Sequence, residues 1–286
     1  MKTSLVFLLL GCSFLLASCY TPRYVYSPSA HNVPVFTKKG DSKLAANYSA
    51  NIVGRVSGDS GKAVMPRSRG YDLQAAYAFT NHWAMQVNYF HRNERNTGDD
   101  LSIKDSVVIR YKRSLTEAGI GYFHILDRNK RGIFQVFAGV GLGKSSFIDN
   151  GKQGSNPIRS RYHEMNVTKL FIQPAFMITN KGYFAAAISS RVSVIYFSKI
   201  KTDYNATELS TYQLDSLNYS PRVFWEPAVI NSFGFKKLPG LKLEFQFGFS
   251  FLASKRFVDS RAFNFSGGLL FDLPKLFAFN KSSSKN

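Results

Sequence analysis

From Leu241 to Leu252 the chain reads LKLEFQFGFSFL, with Leu241, Leu243, Phe245, Phe247, Phe249 and Phe251 at odd positions and Lys242, Glu244, Gln246, Gly248 and Ser250 between them. Side chains two residues apart share one face of a β-strand, whereas a helix would scatter them, so this order admits a strand with one apolar face. The same period recurs from Tyr71 to Phe79, Trp83 to Tyr89, Phe184 to Tyr196 and Phe263 to Phe271. From Ile133 to Phe147 it sets Phe134, Val136, Ala138, Val140 and Leu142 against Gln135, Phe137, Gly139, Gly141 and Gly143. Glycine at alternate positions marks a strand face that a bulky neighbour must approach closely. Within that stretch FAGVGLGKSS shares Gly143, Lys144 and Ser145 with the phosphate-loop pattern G-x-x-x-x-G-K-[ST]. It has Ala138 where the pattern needs glycine, and breakers (FIDNGKQGSNP) rather than a helix follow it. The stretch therefore reads as strand.

Ten strands are expected along the chain, at 44–56, 70–79, 83–91, 106–125, 133–148, 165–179, 184–198, 222–235, 241–253 and 261–271. The connections at 80–82, 126–132, 180–183 and 236–240 are short, and those between them are mostly long. Beyond the N-terminal region no run of about 18 apolar residues occurs, which excludes a transmembrane helix but not transmembrane strands. Several strands exceed the usual soluble length and suffice for the ~9 to 11 residues that a tilted spanning strand needs. The expected fold class is all-β: an antiparallel transmembrane β-barrel of about ten strands, with short periplasmic turns and longer outer loops. A soluble sandwich or lipocalin-like barrel is the alternative. The membrane form is favoured by glycines and isolated charges on the face opposite the apolar one. It is also favoured by aromatic residues near strand ends, including Tyr71, Phe79, Trp83, Tyr89, Tyr122, Tyr183, Tyr196 and Trp225.

The N-terminus, MKTSLVFLLLGCSFLLASC, has Lys2, an apolar run and then Leu16-Ala17-Ser18 before Cys19, the layout of a secretory signal peptide. The small residues before Cys19 resemble the bacterial lipoprotein processing site, where the cysteine is lipidated and becomes the new N-terminus. Leu9-Leu10-Gly11-Cys12 is a weaker candidate, and an ordinary cleaved signal peptide is the alternative. Both cysteines then serve processing, leaving the mature domain without a disulfide. The expected organisation is a signal peptide at 1–18, an extended periplasmic tether at 19–43, the barrel at 44–272 and a tail at 273–286. An even strand number returns both termini to the periplasm, with a lipid on Cys19 in the inner leaflet. On its lipobox-like Leu16-Ala17-Ser18-Cys19 and its mature start CYTPRYVYSPSAHNVPVF, the chain resembles the small outer-membrane β-barrel lipoproteins of Bacteroidota-type bacteria. That resemblance implies an outer-membrane location and no particular activity. The chain departs from barrels that end on an aromatic residue, since a tail follows Phe271; Phe277 or Phe279 is the alternative closing residue.

Parity also fills the lumen. The inward set contains Glu117, Lys169, Arg191, Glu226, Lys242 and Glu244, with Gln74, Gln86, Asn88 and Gln173. Isolated charges in a narrow lumen are costly, so these should pair across it and plug the bore; a charged constriction in a narrow channel is the alternative. Removing residues 1–18 leaves 36 basic against 18 acidic residues, a net +18. The segments read as periplasmic hold +10 of this and the outer loops +2. A periplasmic basic rim of Lys236, Lys237 and Lys275 is therefore expected, facing anionic head groups or peptidoglycan acids, or else simply solvated. Nucleic acid is not an expected partner of an exported barrel, and the oligomeric state is not read from these residues. The five histidines, His31, His82, His91, His124 and His163, are scattered, without metal-ligand spacing and without Ser two residues after any of them. No catalytic residue, metal or cofactor is expected. The expected role is structural or interaction-based, with a narrow passive solute channel second and a lipid-modifying enzyme a distant third.

Overall fold

The computed structural model describes residues 21–50, 67–100, 105–153, 156–180, 183–235 and 238–274. Cys12 and Cys19, the basic residues Lys236, Lys237 and Lys275, and Phe277 and Phe279 lie outside them. The strands are β1 (Ser42–Ala50), β2 (Arg67–Ala78), β3 (Trp83–Asp100), β4 (Asp105–Ile125), β5 (Gly132–Gln153), β6 (Asn156–Asn180), β7 (Phe184–Thr202), β8 (Arg222–Phe235), β9 (Leu238–Phe249), β10 (Phe251–Leu252) and β11 (Phe263–Phe271). Each pairs antiparallel with its neighbours, and β1 joins β11, β11 joins β9 and β9 joins β8. The two residues of β10 continue β9 past Ser250 in the same register against β8. The result is a closed antiparallel barrel of ten staves with almost no helix, and closure leaves no open edge.

The apolar face points out. Phe245, Phe247 and Phe249 are 36%, 44% and 44% exposed, while their neighbours Glu244 and Gln246 are buried. The outward side chains form a lipid-type wall with two aromatic belts. Trp83 and Tyr122 pair at the short-turn end, and Tyr48, Tyr71 and His91 align toward the other end. On β3, Trp83 to His91 spans eight steps, which at strand rise and barrel tilt is about 20 Å, close to the ~25 Å apolar band of outer-membrane barrels. No helix among the described residues is long and apolar enough to cross a membrane.

Two sequence expectations about extent are corrected. β3, β4, β5 and β6 run well past the apolar band, through segments expected as loops at 92–105 and 149–164. Their inward and outward alternation continues there with polar side chains, so hydrophobicity does not mark it. The connection 203–221 carries a short helix, α1 (Ala206–Thr211), whose Asn205 and Glu208 cap each other reciprocally.

The larger correction concerns the tether. Residues 21–36 are extended as expected, but they lie inside the barrel: every residue from Thr21 to Phe36 is buried or nearly so. Thr21 sits beside Gly98 near the top of the β3–β4 hairpin, and the Pro22 carbonyl accepts from Tyr111 Oη at 3.1 Å. At the other end Phe36 packs with Phe123 and Ala78 by the short turns. The chain then reverses through Thr37–Asp41, with Gly40 at φ +89° and the Asp41 carboxylate accepting from the Thr37 and Lys38 amides, and enters β1. Residue 21 and the end of β11 therefore lie at opposite mouths. The two termini, expected on one side, lie outside the described residues.

Candidate functional site in the lumen

The threaded segment has no strand partner along most of its length, so its backbone needs acceptors and donors from the wall. Pro22, Pro28 and Pro34 bring no N–H at all, which lowers that demand. Side-chain amides of the staves meet its carbonyls. Gln74 donates to His31 O at 3.2 Å, Gln173 to Asn32 O at 2.9 Å and Gln135 to Pro34 O at 3.2 Å. Asn32 donates in turn to Asn88 Oδ1 at 2.9 Å. Of the inward amides expected by parity, Gln74, Asn88 and Gln173 are rungs of the ladder that holds a passenger strand, joined by Gln135, while Gln86 makes no hydrogen bond among the described residues.

The predicted charges form a lattice at mid-barrel. Lys169 Nζ lies 2.9 Å from Glu117 and 3.5 Å from Glu226, and Arg191 lies 2.9 Å from Glu226 and 3.7 Å from Glu117. Two acids and two bases, all buried, alternate around one point, which offsets the desolvation that any one of them alone would suffer. Lys169 reaches Glu117 across an intervening stave because the residue in register between them is Gly141. A Cβ there would stand 3.1 Å from Glu117 Cγ and 3.4 Å from Lys169 Cβ. The glycine face is therefore the gap through which the ion pair closes.

The threaded segment docks onto this lattice. Tyr26 Oη donates to Glu226 at 2.7 Å, Ser29 Oγ to Glu117 at 3.2 Å, and Arg191 to Ser29 O at 2.8 Å. Glu244 lies outside this lattice and takes Lys43 of β1 at 2.8 Å. Lys43 was assigned to the tether in the sequence, one residue before the expected strand.

A second tier of buried ions lies nearer the long connections and was missed in the sequence. Arg92 pairs with Asp72 at 2.8 Å, Arg113 pairs with Glu94, and Arg261 lies 3.5 Å from Glu94. Arg23 of the threaded segment pairs with Asp149 at 2.6 Å, and its guanidinium lies 3.6 Å from the Tyr212 ring centroid. The signal was present: Arg92 and Glu94 keep the parity of Gln86 and Asn88, and Arg113 that of Glu117. Tyr204 donates to Asp149 at 2.8 Å, and burial, then the adjacent carboxylate, hold its hydroxyl well above the ordinary value, so it remains a donor.

Above the ions, the mouth is closed by apolar packing. Tyr204, Tyr212, Leu214 and Leu217 from the α1 connection and Val258 from the β10–β11 connection join Tyr24, Val25 and Tyr26 in one cluster. The β10–β11 connection also turns inward, where Val25 N donates to Asp259 O and Arg261 N to Tyr26 O.

The histidines stay apart from this lattice except His31, whose Nδ1 is 3.0 Å from Ser189 Oγ, both buried. His91 and His124 lie on the outer wall beside Tyr71 and Tyr122. Among the described residues no group of three or more His, Cys, Asp or Glu side chains is placed to hold a metal ion.

No family model and no curated protein matches the chain. Among solved structures, the translocator domain of autotransporter NalP from Neisseria meningitidis is similar at a TM-score of 0.47 and 11% identity, covering 85% of this chain and 90% of that one. The assignment as an outer-membrane-type barrel rests on the closed hydrogen-bonding circuit and the outward apolar wall.

Proposed function

We propose that this protein is a lipid-anchored integral barrel of the bacterial outer membrane, sealed by its own N-terminal segment, whose role is structural or interaction-based rather than conductive. The observation that carries the reading is the burial of residues 21–36 along the bore, bonded to the Glu117–Lys169–Arg191–Glu226 lattice. A passive solute channel needs a continuous wet path, and that path is occupied by chain, amides and a capping apolar cluster. Enzymatic turnover is not part of this reading: the buried contact of His31 with Ser189 ties the threaded segment to the wall.

The lipid is placed on Cys19, as its preceding Leu16-Ala17-Ser18 suggests. Two residues of extended chain cover at most about 7 Å, and Thr21 lies at the mouth formed by the long connections. With long loops outward and short turns periplasmic, the anchor belongs to the outer leaflet rather than the inner one.

Planar-bilayer recording tests the seal. The purified full chain should show no steady ohmic conductance. A variant lacking residues 21–36, verified as folded by its different gel mobility before and after boiling, should conduct. Steady conductance from the intact protein refutes the sealed reading.

A further inference from the structure

On β2 to β5, the outward face beyond the aromatic belt at the long-connection end changes from apolar to basic. Arg69, Arg95, Arg110 and Lys112 point outward there, and Lys144 points outward level with the belt, in the row of Tyr71, His91 and Ser114. Register puts Arg95 directly opposite Arg110, and Lys112 opposite Asn93 and Ser146. Residues directly opposite on neighbouring strands have Cβ atoms about 5 Å apart, and like charges in such pairs are destabilising. None of these five cations has an ion-pair partner among the described residues. The inward cations of the same strands, Arg92 and Arg113, each have an acid. Among the described side chains, the outward carboxylate Glu164 lies beside Ser146 on the far side of β5.

Four of the cations, Arg69, Arg95, Arg110 and Lys112, line a shallow groove of about 590 Å³ together with Asn93, Ser146 and the apolar Ile148. Below it toward mid-membrane come first the row of Tyr71, His91, Ser114 and Lys144 and then that of Leu73, Tyr89 and Leu142, of which Leu73 and Leu142 are exposed to the apolar band. The surface thus presents bidentate guanidinium donors at head-group level and hydrocarbon contacts beneath them, on one continuous strip of wall.

We propose that this strip binds the phosphate-bearing head group of an outer-leaflet glycolipid. Its phosphates would bridge Arg95, Arg110 and Lys112, and its acyl chains would lie along Leu73 and Leu142. Phosphate supplies the missing anion and takes two parallel N–H bonds from each guanidinium. This inference rests on the membrane-barrel reading, and its residues are at the opposite end from the basic rim expected in the sequence.

The test uses the full chain reconstituted in vesicles of phosphatidylcholine, of phosphatidylcholine with bis-phosphorylated lipid A, and of phosphatidylcholine with phosphatidylglycerol at matched negative charge. The lipid retained through extraction into neutral detergent is then weighed by native mass spectrometry. The wild type should retain lipid A selectively. Each of R95Q and R110Q should lower that retention about fivefold, from roughly one unit of head-group attraction per charge, and Arg110→Lys should lower it less. R128Q, at an exposed turn on the opposite end, should leave retention unchanged. Folding of each variant is checked by heat-modifiability. Equal retention of phosphatidylglycerol and lipid A, or an equal loss with R128Q, overturns the site while leaving the barrel intact. Failure of the wild type to insert into any vesicle overturns the barrel reading and this inference with it.

Discussion

Most buried charges among the described residues are tolerable because an opposite charge lies within reach; Arg222 is held instead by Ser216 and Ser220. Glu226 accepts from Arg191, Ser193 and Tyr26 and lies near Lys169, so four groups from two staves and the threaded segment converge on one carboxylate. Breaking such a set from one side leaves uncompensated charge, which costs more than the pairs themselves contribute. Glu226→Ala should therefore destabilise the folded barrel by about 3–5 kcal/mol. The double variant Glu226→Ala/Arg191→Met should recover part of that loss, because the stranded guanidinium is gone. Urea titration read by gel mobility measures both, and additivity of the two single losses would show that the residues do not act as a unit. The sequence made Glu117, Lys169, Arg191 and Glu226 visible by parity alone. It could not show that Glu244 takes Lys43 rather than Lys242, since which charges meet depends on the stagger of neighbouring staves and not on spacing within one.

At the scale of the elements, alternation was legible wherever one face was apolar and illegible where both faces were polar. β3 was expected to stop at His91 because Arg92 to Asp100 carries no apolar period, yet the hydrogen-bonded ladder continues to Asp100. The short turns were better marked. The β4–β5 turn reads LDRNKRG, and its Asp127 carboxylate accepts from the Gly132, Arg131 and Asn129 amides at 2.6, 2.7 and 3.1 Å. The Gly132 amide first, opposed by desolvation and reinforced by the Arg131 and Asn129 amides, holds this carboxyl below its ordinary value of 3.8. A depressed folded value means that the turn's stabilisation is fully present above pH 3.8 and is lost as pH falls through the lowered value. Amide exchange at Asn129, Arg131 and Gly132 should stay slow down to about pH 4 and accelerate below it, relative to the β4–β5 ladder. In Asp127→Asn the same amides should exchange faster at neutral pH and show no such acid step. An acid step that survives in the variant would assign it to another group.

For the whole molecule, the decisive feature is the route of the N-terminal segment, and here the sequence could not lead. An extended stretch with Pro22, Pro28 and Pro34 and polar residues between them reads the same whether water or a barrel wall surrounds it. Its partners, Gln74, Asn88, Gln135 and Gln173, sit on four separate staves. The lipid site proposed at Cys19 takes its proposed side of the membrane from that route alone. The path from Thr21 by Gly98 down to Phe36 by Phe123 sets the start of the segment and the end of β11 at opposite mouths. If long connections face outward, Tyr20→Cys should react with a membrane-impermeant maleimide on intact cells, whereas Ser283→Cys in the tail should react only after the outer membrane is permeabilised. Cys19 itself is blocked by its lipid in this scheme, and Cys12 leaves with the signal peptide, so neither contributes background. A tether hanging below the barrel predicts protection of both introduced thiols until permeabilisation. The opposite pattern, with Ser283→Cys reactive on intact cells and Tyr20→Cys protected, would mean that the barrel is inserted with its long connections inward, and the outer-leaflet glycolipid strip would then face the wrong leaflet.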